Sequence, residues 1–190
     1  MKLRTMLYAS LFAAIMGALG FFPPIVTPFT PVPITAQTLG LMLAGSILGA
    51  KRGGLSMLLF VLLIAIGVPL LSGGRGGLGV FFGPSGGYIM SYPIAAFIIG
   101  FLVERFWKNL KLWYYLVFNF IGGVVFVYAC GVTYLSFITN TPWPAAAFAA
   151  LVYIPGDVAK IAIASILAQQ LNRVYPLMHK NSSNDYQKAA

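Results

Sequence analysis

Pro155-Gly156-Asp157-Val158-Ala159-Lys160 places two charges inside an otherwise apolar stretch, Ala145 to Arg173. Residues three apart on a helix share a face, so the Asp157 carboxylate and the Lys160 ammonium can stand side by side and offer an acceptor and a donor to one point. In a bilayer each such charge costs about 2.5 to 3.5 kcal/mol on insertion scales, so ionisable groups there pair, face a cavity or mark a solute path. Two readings follow, a binding site and a structural ion pair. Ala145 to Tyr153 is too short to span, and Pro155-Gly156 is expected to interrupt the backbone before a helix over Asp157 to Arg173. Asp157 then also suits a helix start, where a carboxylate caps free N-H groups and meets the positive end of the dipole. Lys160, one turn deeper, needs Asp157 or a ligand group.

The whole composition fits that apolar setting. Of 190 residues 59% are hydrophobic and 8% charged, with a mean hydropathy of +0.88, so the chain reads as an all-α integral membrane protein. Its length allows one compact domain, 1–173, followed by a polar tail, 174–190, with no room for a second, nucleotide-binding core. The net charge of +9 does not point to nucleic acid, because the basic residues fall in small groups between hydrophobic runs, as membrane flanks do. The acids are Glu104, Asp157 and Asp185. Cys130 has no second cysteine to pair with and reads as a small buried residue.

Taken in order, Lys2 and Arg4 precede an apolar run, Thr5 to Phe22, that resembles a signal peptide in outline. No A-x-A-like cleavage site follows and apolar character soon resumes, so the run is read as helix one. Ala9 and Ala13 on it have the small-x-x-x-small spacing that lets another helix approach, continued on a neighbouring face by Ala14 and Ala18. That spacing fits a partner protein or internal packing equally. Five prolines between Pro23 and Pro33 forbid a helix and require an ordered, extended loop. Thr30, Thr35, Gln37 and Thr38 lie in it or follow it, at the start of a second helix over 34–50, where they line a pocket or satisfy loop backbone.

Lys51-Arg52 returns the chain to a basic side, and Gly53 to Pro69 is a third span. The loop Ser72 to Gly79 contains a formal G-x-G-x-x-G, but no strand precedes it and no acid follows at the spacing a dinucleotide site needs. Its glycines suit a close backbone approach, and Arg75 is a candidate for gripping a carboxylate or an interfacial arginine. Gly83-Pro84-Ser85-Gly86-Gly87-Tyr88 leads into helix four, which ends near Val103; Tyr88 fits a solute wall or an aromatic belt. Glu104 to Lys111 is read as a solvated connection to helix five, Trp113 to Ile138. In the tail, His179 reads as solvated, and an inside Asn181-Ser182-Ser183 would not be glycosylated. Every basic group except Arg75 falls on one side, which predicts about six membrane helices with both termini cytoplasmic and three unusual loops forming an outer lid. These would enclose a pocket around Asp157 and Lys160.

The sequence has no G-x-x-x-x-G-K-[ST], no H-E-x-x-H and no plausible Ser/His/Asp set. A single acid among helices and outer loops also excludes a paired-carboxylate protease. Neither a catalytic nor a metal site is expected. Concentrative uptake would need ion coupling through Asp157 or an energising partner.

Four motifs in order, Pro28-Phe29-Thr30-Pro31-Val32-Pro33-Ile34-Thr35 with Gln37-Thr38, Gly73-Gly74-Arg75-Gly76-Gly77, Gly83-Pro84-x-Gly86-Gly87-Tyr88 and Pro155-Gly156-Asp157-x-x-Lys160, resemble the BioY biotin transporters. These are the substrate-binding S components of energy-coupling factor transporters. The resemblance implies a six-helix protein of a bacterial or archaeal plasma membrane that binds biotin from outside, needs no cofactor, and works with a transmembrane coupling subunit and two ATPases. By the same resemblance Asp157, Lys160 and Arg75 are substrate-binding residues, joined as expectations by Tyr88, Gln37, Thr35 and Ser85, while Ala9 and Ala13 meet the coupling subunit. The alternatives are a solitary secondary transporter of biotin or a related acid, with Asp157 coupled to protons, and a membrane enzyme, for which catalytic groups are lacking.

Overall fold

The computed structural model describes residues 3–174. Lys2, Asp185, His179, the Asn181-Ser182-Ser183 acceptor and the tail beyond Val174 lie outside the described residues. Within them the chain forms helices α1 (Leu3–Leu19), α2 (Gln37–Leu48), α3 (Ala50–Ala65), α4 (Gly86–Arg105), α5 (Leu112–Thr139) and α6 (Trp143–Val174). Between α1 and α2, strands β1 (Ile25–Thr27) and β2 (Thr30–Ile34) pair antiparallel. The proline-rich loop is therefore extended, as its composition requires, and is also a hairpin. Prolines are tolerated there because a two-stranded ribbon leaves each strand one edge that needs no N-H.

Helices α4, α5 and α6 are long and apolar enough to cross a membrane, and α1 and α2 are shorter apolar helices. α4 packs on α3, α2 and α5, while α6 packs on α2 and α5. Their shared core holds Leu41, Met42, Phe60, Ile99 and Val103. The outer surface is apolar as well: Phe97, Phe101, Phe120, Phe148 and Leu167 are exposed. Large side chains of that kind all round a bundle need hydrocarbon as solvent.

Two boundaries differ from the sequence expectation. The hydropathy pattern predicts helices two and three over 34–50 and from Gly53, yet α2 begins at Gln37 and α3 at Ala50, joined by Gly49 alone. Gly49 has φ 83° and ψ −179°, a conformation essentially restricted to glycine, so one residue reverses the chain. A Cβ on Gly100 would lie 2.3 Å from Ala50 N, so the turn nests directly on α4. Gly49→Ala is expected to destabilise the protein by about 1–3 kcal/mol, read as a lower thermal midpoint in detergent.

The second difference is in α6. Its backbone does not break at Pro155-Gly156. The path stays helical from Trp143, tightens to a 3-10 turn at Leu151–Tyr153, and resumes as α-helix at Ile154. Pro155 falls in the first turn of that segment, where no backbone donor is required.

Contacts also gather the basic groups. Glu104 Oε1 accepts from Ala50 N at 3.0 Å, so this acid caps α3 as well as belonging to a charged connection. The Arg52 guanidinium lies 5.8 Å from the Tyr8 ring centre. The start of α1, the α2–α3 turn and the α4–α5 connection thus share one end, away from Arg75.

Candidate solute-binding site

Because α6 is continuous, Tyr153, Asp157 and Lys160 fall four and three residues apart on one face. Lys160 Nζ donates to Asp157 Oδ1 at 2.9 Å and to Thr38 Oγ1 at 3.0 Å. The Thr38 hydroxyl lies 3.5 Å from the same carboxylate oxygen and the Tyr128 hydroxyl donates to Oδ2. Asp157 is only 3% exposed, yet both its oxygens are engaged and its charge has a counter-ion. That is the condition under which a buried carboxylate is tolerated.

Around this pair the walls are aromatic. Tyr88, Tyr128 and Tyr153 meet edge to face, with ring centres 6.0 to 6.4 Å apart. The Tyr88 ring sits where a Cβ on Gly131 would lie 2.3 Å from it, and the Tyr134 ring occupies the matching space over Gly87. These two glycines therefore let α4 and α5 close until the rings interlock. Tyr88 lines the cavity, and its hydroxyl is buried without a partner. Buried polar groups are normally paired, so this hydroxyl still has a hydrogen bond to make. If Tyr88 forms part of the binding wall, Gly131→Ala is expected to displace it and weaken ligand binding while leaving Asp157 and Lys160 in place, as titration of the variant would measure.

The three loops form the rest. Tyr153 OH donates to Val32 O at 2.8 Å and lies 2.6 Å from Thr30 Oγ1, pinning the hairpin to α6. Gln37 Nε2 donates to Leu70 O at 2.9 Å and Met16 O at 3.4 Å, tying α2 to the glycine-rich loop and to α1. In that loop Gly73, Gly74 and Gly77 have positive φ, and Arg75 Nε donates to Ser72 O at 3.3 Å. The cavity is open to the outside and measures about 580 Å³ with its mouth included. Asp157, Lys160, Arg75, Tyr88, Gln37, Thr35 and Ser85 all line it. Thr38, Tyr92, Tyr128 and Tyr153 do so too, and of these only Thr38 was singled out from sequence. Such a site offers a paired acceptor and donor, an exposed guanidinium and flat aromatic walls. Among the described residues no cluster of His, Cys, Asp and Glu could hold a metal.

Set against known proteins, the chain matches the BioY family over residues 1–177. It belongs to the BioY family. It is 45% identical over 177 residues to the probable biotin transporter BioY of Bacillus subtilis strain 168, covering 93% of this chain and 95% of that one. Identity to the biotin transporter BioY of Rhizobium etli is 42% over 183 residues, covering 94% and 98% of the two chains. In three dimensions it is similar to the S-component for biotin from an ECF-type ABC transporter, with a TM-score of 0.87 at 37% identity over 90% of this chain and 92% of that one. The fold is accordingly the all-helical membrane bundle of a BioY protein, and the chain is a membrane protein.

For this BioY family member one expectation needs correction. Ala9 and Ala13, expected to face a partner, are 5% and 1% exposed and turn into the bundle. Ser56 Oγ donates to Ala9 O at 3.0 Å, so their small side chains let α3 approach α1 within the chain itself. The small residues on the open face of α1 are Ser10, Ala14 and Ala18.

Proposed function

We propose that this chain is the high-affinity biotin-binding S component of an energy-coupling factor transporter, and not an enzyme. The observation that carries the assignment is the cavity around the Asp157–Lys160 pair, walled by Tyr88, Tyr128 and Tyr153 and reached by Arg75. Biotin has a ureido ring with two N-H donors and a carbonyl, fused apolar rings, and a valerate ending in a carboxylate. Asp157 accepts from a ureido N-H, Lys160 donates to the ureido oxygen or the carboxylate, and Arg75 holds the carboxylate. The Tyr88 ring flanks the fused rings. Thr38 and Tyr128 act one step back by fixing Asp157.

The protein sits in the plasma membrane of a bacterium or archaeon with the basic end inside, as the distribution of Lys and Arg favours. Biotin enters from the opposite, loop-covered end. A transmembrane coupling subunit with two ATPases supplies the energy, in keeping with a sequence that carries no G-x-x-x-x-G-K-[ST] phosphate-binding loop. That subunit meets α1 on the face of Ser10, Ala14 and Ala18.

Calorimetric titration of the detergent-purified chain tests the assignment. Tight one-site binding of biotin, with no heat from thiamine or lipoate, is expected. Silence with biotin, or equal binding of lipoate, overturns it.

A further inference from the structure

A second cavity, of about 410 Å³, lies between the end of α6, the start of α5 and the α4–α5 connection. It is lined by Trp107, Leu110, Tyr115, Gln169, Asn172 and Arg173. Asn172 follows Asp157 by four turns of helix, so this cavity is about 22 Å from the solute site along α6, at the basic end. Asn172 is 8% exposed, and its Nδ2 donates to Ser46 O at 3.0 Å and to Tyr115 OH at 2.9 Å. Its Oδ1 is buried and has no partner. Tyr115 accepts from Asn172 and keeps its own hydrogen to give. With the Gln169 amide turned so that both neighbours are satisfied, its oxygen accepts from Leu112 N at 2.9 Å and from Arg173 Nη2 at 3.3 Å. Arg173 is thereby held at the rim.

The cavity is thus lined by residues that carry a guanidinium, a phenol hydrogen still to be given and a buried carbonyl oxygen that lacks a donor. A ligand that satisfies all three carries an anion and a hydroxyl. Leu171 and Val174, next in sequence to the lining residues Asn172 and Arg173, are exposed apolar side chains. We propose that this cavity binds the head group of an anionic, hydroxyl-bearing phospholipid, with its phosphodiester on Arg173 and a hydroxyl donating to Asn172 Oδ1. An ammonium head group would satisfy Asn172 but would face Arg173, with the exposed Arg105 and Lys111 at the same end. Glycerol phosphate shares the polar chemistry and lacks the chains.

The test is native mass spectrometry of the full chain in detergent, incubated separately with phosphatidylglycerol, phosphatidylethanolamine and phosphatidylcholine, with glycerol 3-phosphate as competitor. Phosphatidylglycerol is expected to be retained in preference to the other two and to resist the competitor. Arg173→Gln should weaken that retention roughly tenfold, the order expected for one charge-assisted contact, with biotin titration unchanged as evidence that the fold is intact. Equal retention of phosphatidylethanolamine, full displacement by glycerol 3-phosphate, or undiminished retention in Arg173→Gln overturns the proposal.

Discussion

Asp157→Asn is expected to lower biotin affinity by roughly ten- to a hundredfold, since a hydrogen bond to a charged group is worth about 1.5–3 kcal/mol and each 1.4 kcal/mol is tenfold. Asparagine matches aspartate in shape, so the loss isolates charge from packing. In the protein Asp157 is 3% exposed and takes hydrogen bonds from Lys160, Thr38 and Tyr128. The substituted amide carries an NH2 where one carboxylate oxygen stood. Either Lys160 or Tyr128 then faces a donor, and the ammonium keeps its charge without a counter-ion. The proposed acceptor for the ureido N-H groups is weakened in the same step. Titration of the purified variant with biotin measures the loss, and unchanged affinity would remove Asp157 from the binding role.

The reason Asp157 could be singled out from sequence is that a bilayer penalises isolated charges, so two of them in an apolar stretch stand out without any structure. Arg75 stood out similarly, as the basic residue apart from the others, and it lines the same cavity. Uncharged groups carry no such flag. Tyr128 and Tyr153 lie in apolar runs where tyrosine is also ordinary belt or core material, and neither was singled out. A signal for Tyr153 did exist: it precedes Asp157 by four residues and Lys160 by seven, one helical face. Pro155-Gly156 hides it, because a proline in the sequence reads as a helix breaker although a first turn tolerates it.

The helices themselves were readable as apolar runs between basic flanks, since the pattern depends on membrane thickness and not on tertiary detail. Their ends were less so. The single-residue Gly49 turn depends on a φ of 83° that no hydropathy pattern encodes, and Lys51-Arg52 consequently belongs to the first turn of α3 and not to a loop. The alanines of α1 show a different limit. Ala9 and Ala13 share a spacing with Ala14 and Ala18, and spacing alone cannot say which face meets α3. Burial of the first pair against Ser56 separates them.

Lys160→Met, alone and combined with Asp157→Asn, should separate a binding site from a structural ion pair. Alone it leaves the Asp157 carboxylate buried with only Thr38 and Tyr128 to hold it, and a loss of about 3–5 kcal/mol in stability is expected. The double variant replaces both charges by neutral groups of similar volume. Such replacements are often neutral or stabilising, because desolvating two ions offsets most of their mutual attraction. The thermal midpoint of the double variant should therefore return close to that of the parent protein, since the helix contacts of α6 with α2 and α5 are untouched. Biotin binding should not return, because the ureido group has lost the charged acceptor and donor proposed for it, and Arg75 alone holds the carboxylate. A double variant that regained both stability and affinity would show that the pair serves only to bind α6 to α2 through Thr38. One that regained neither would show that the two charges hold the fold, and the cavity would need to be tested through Arg75 and Tyr88 instead.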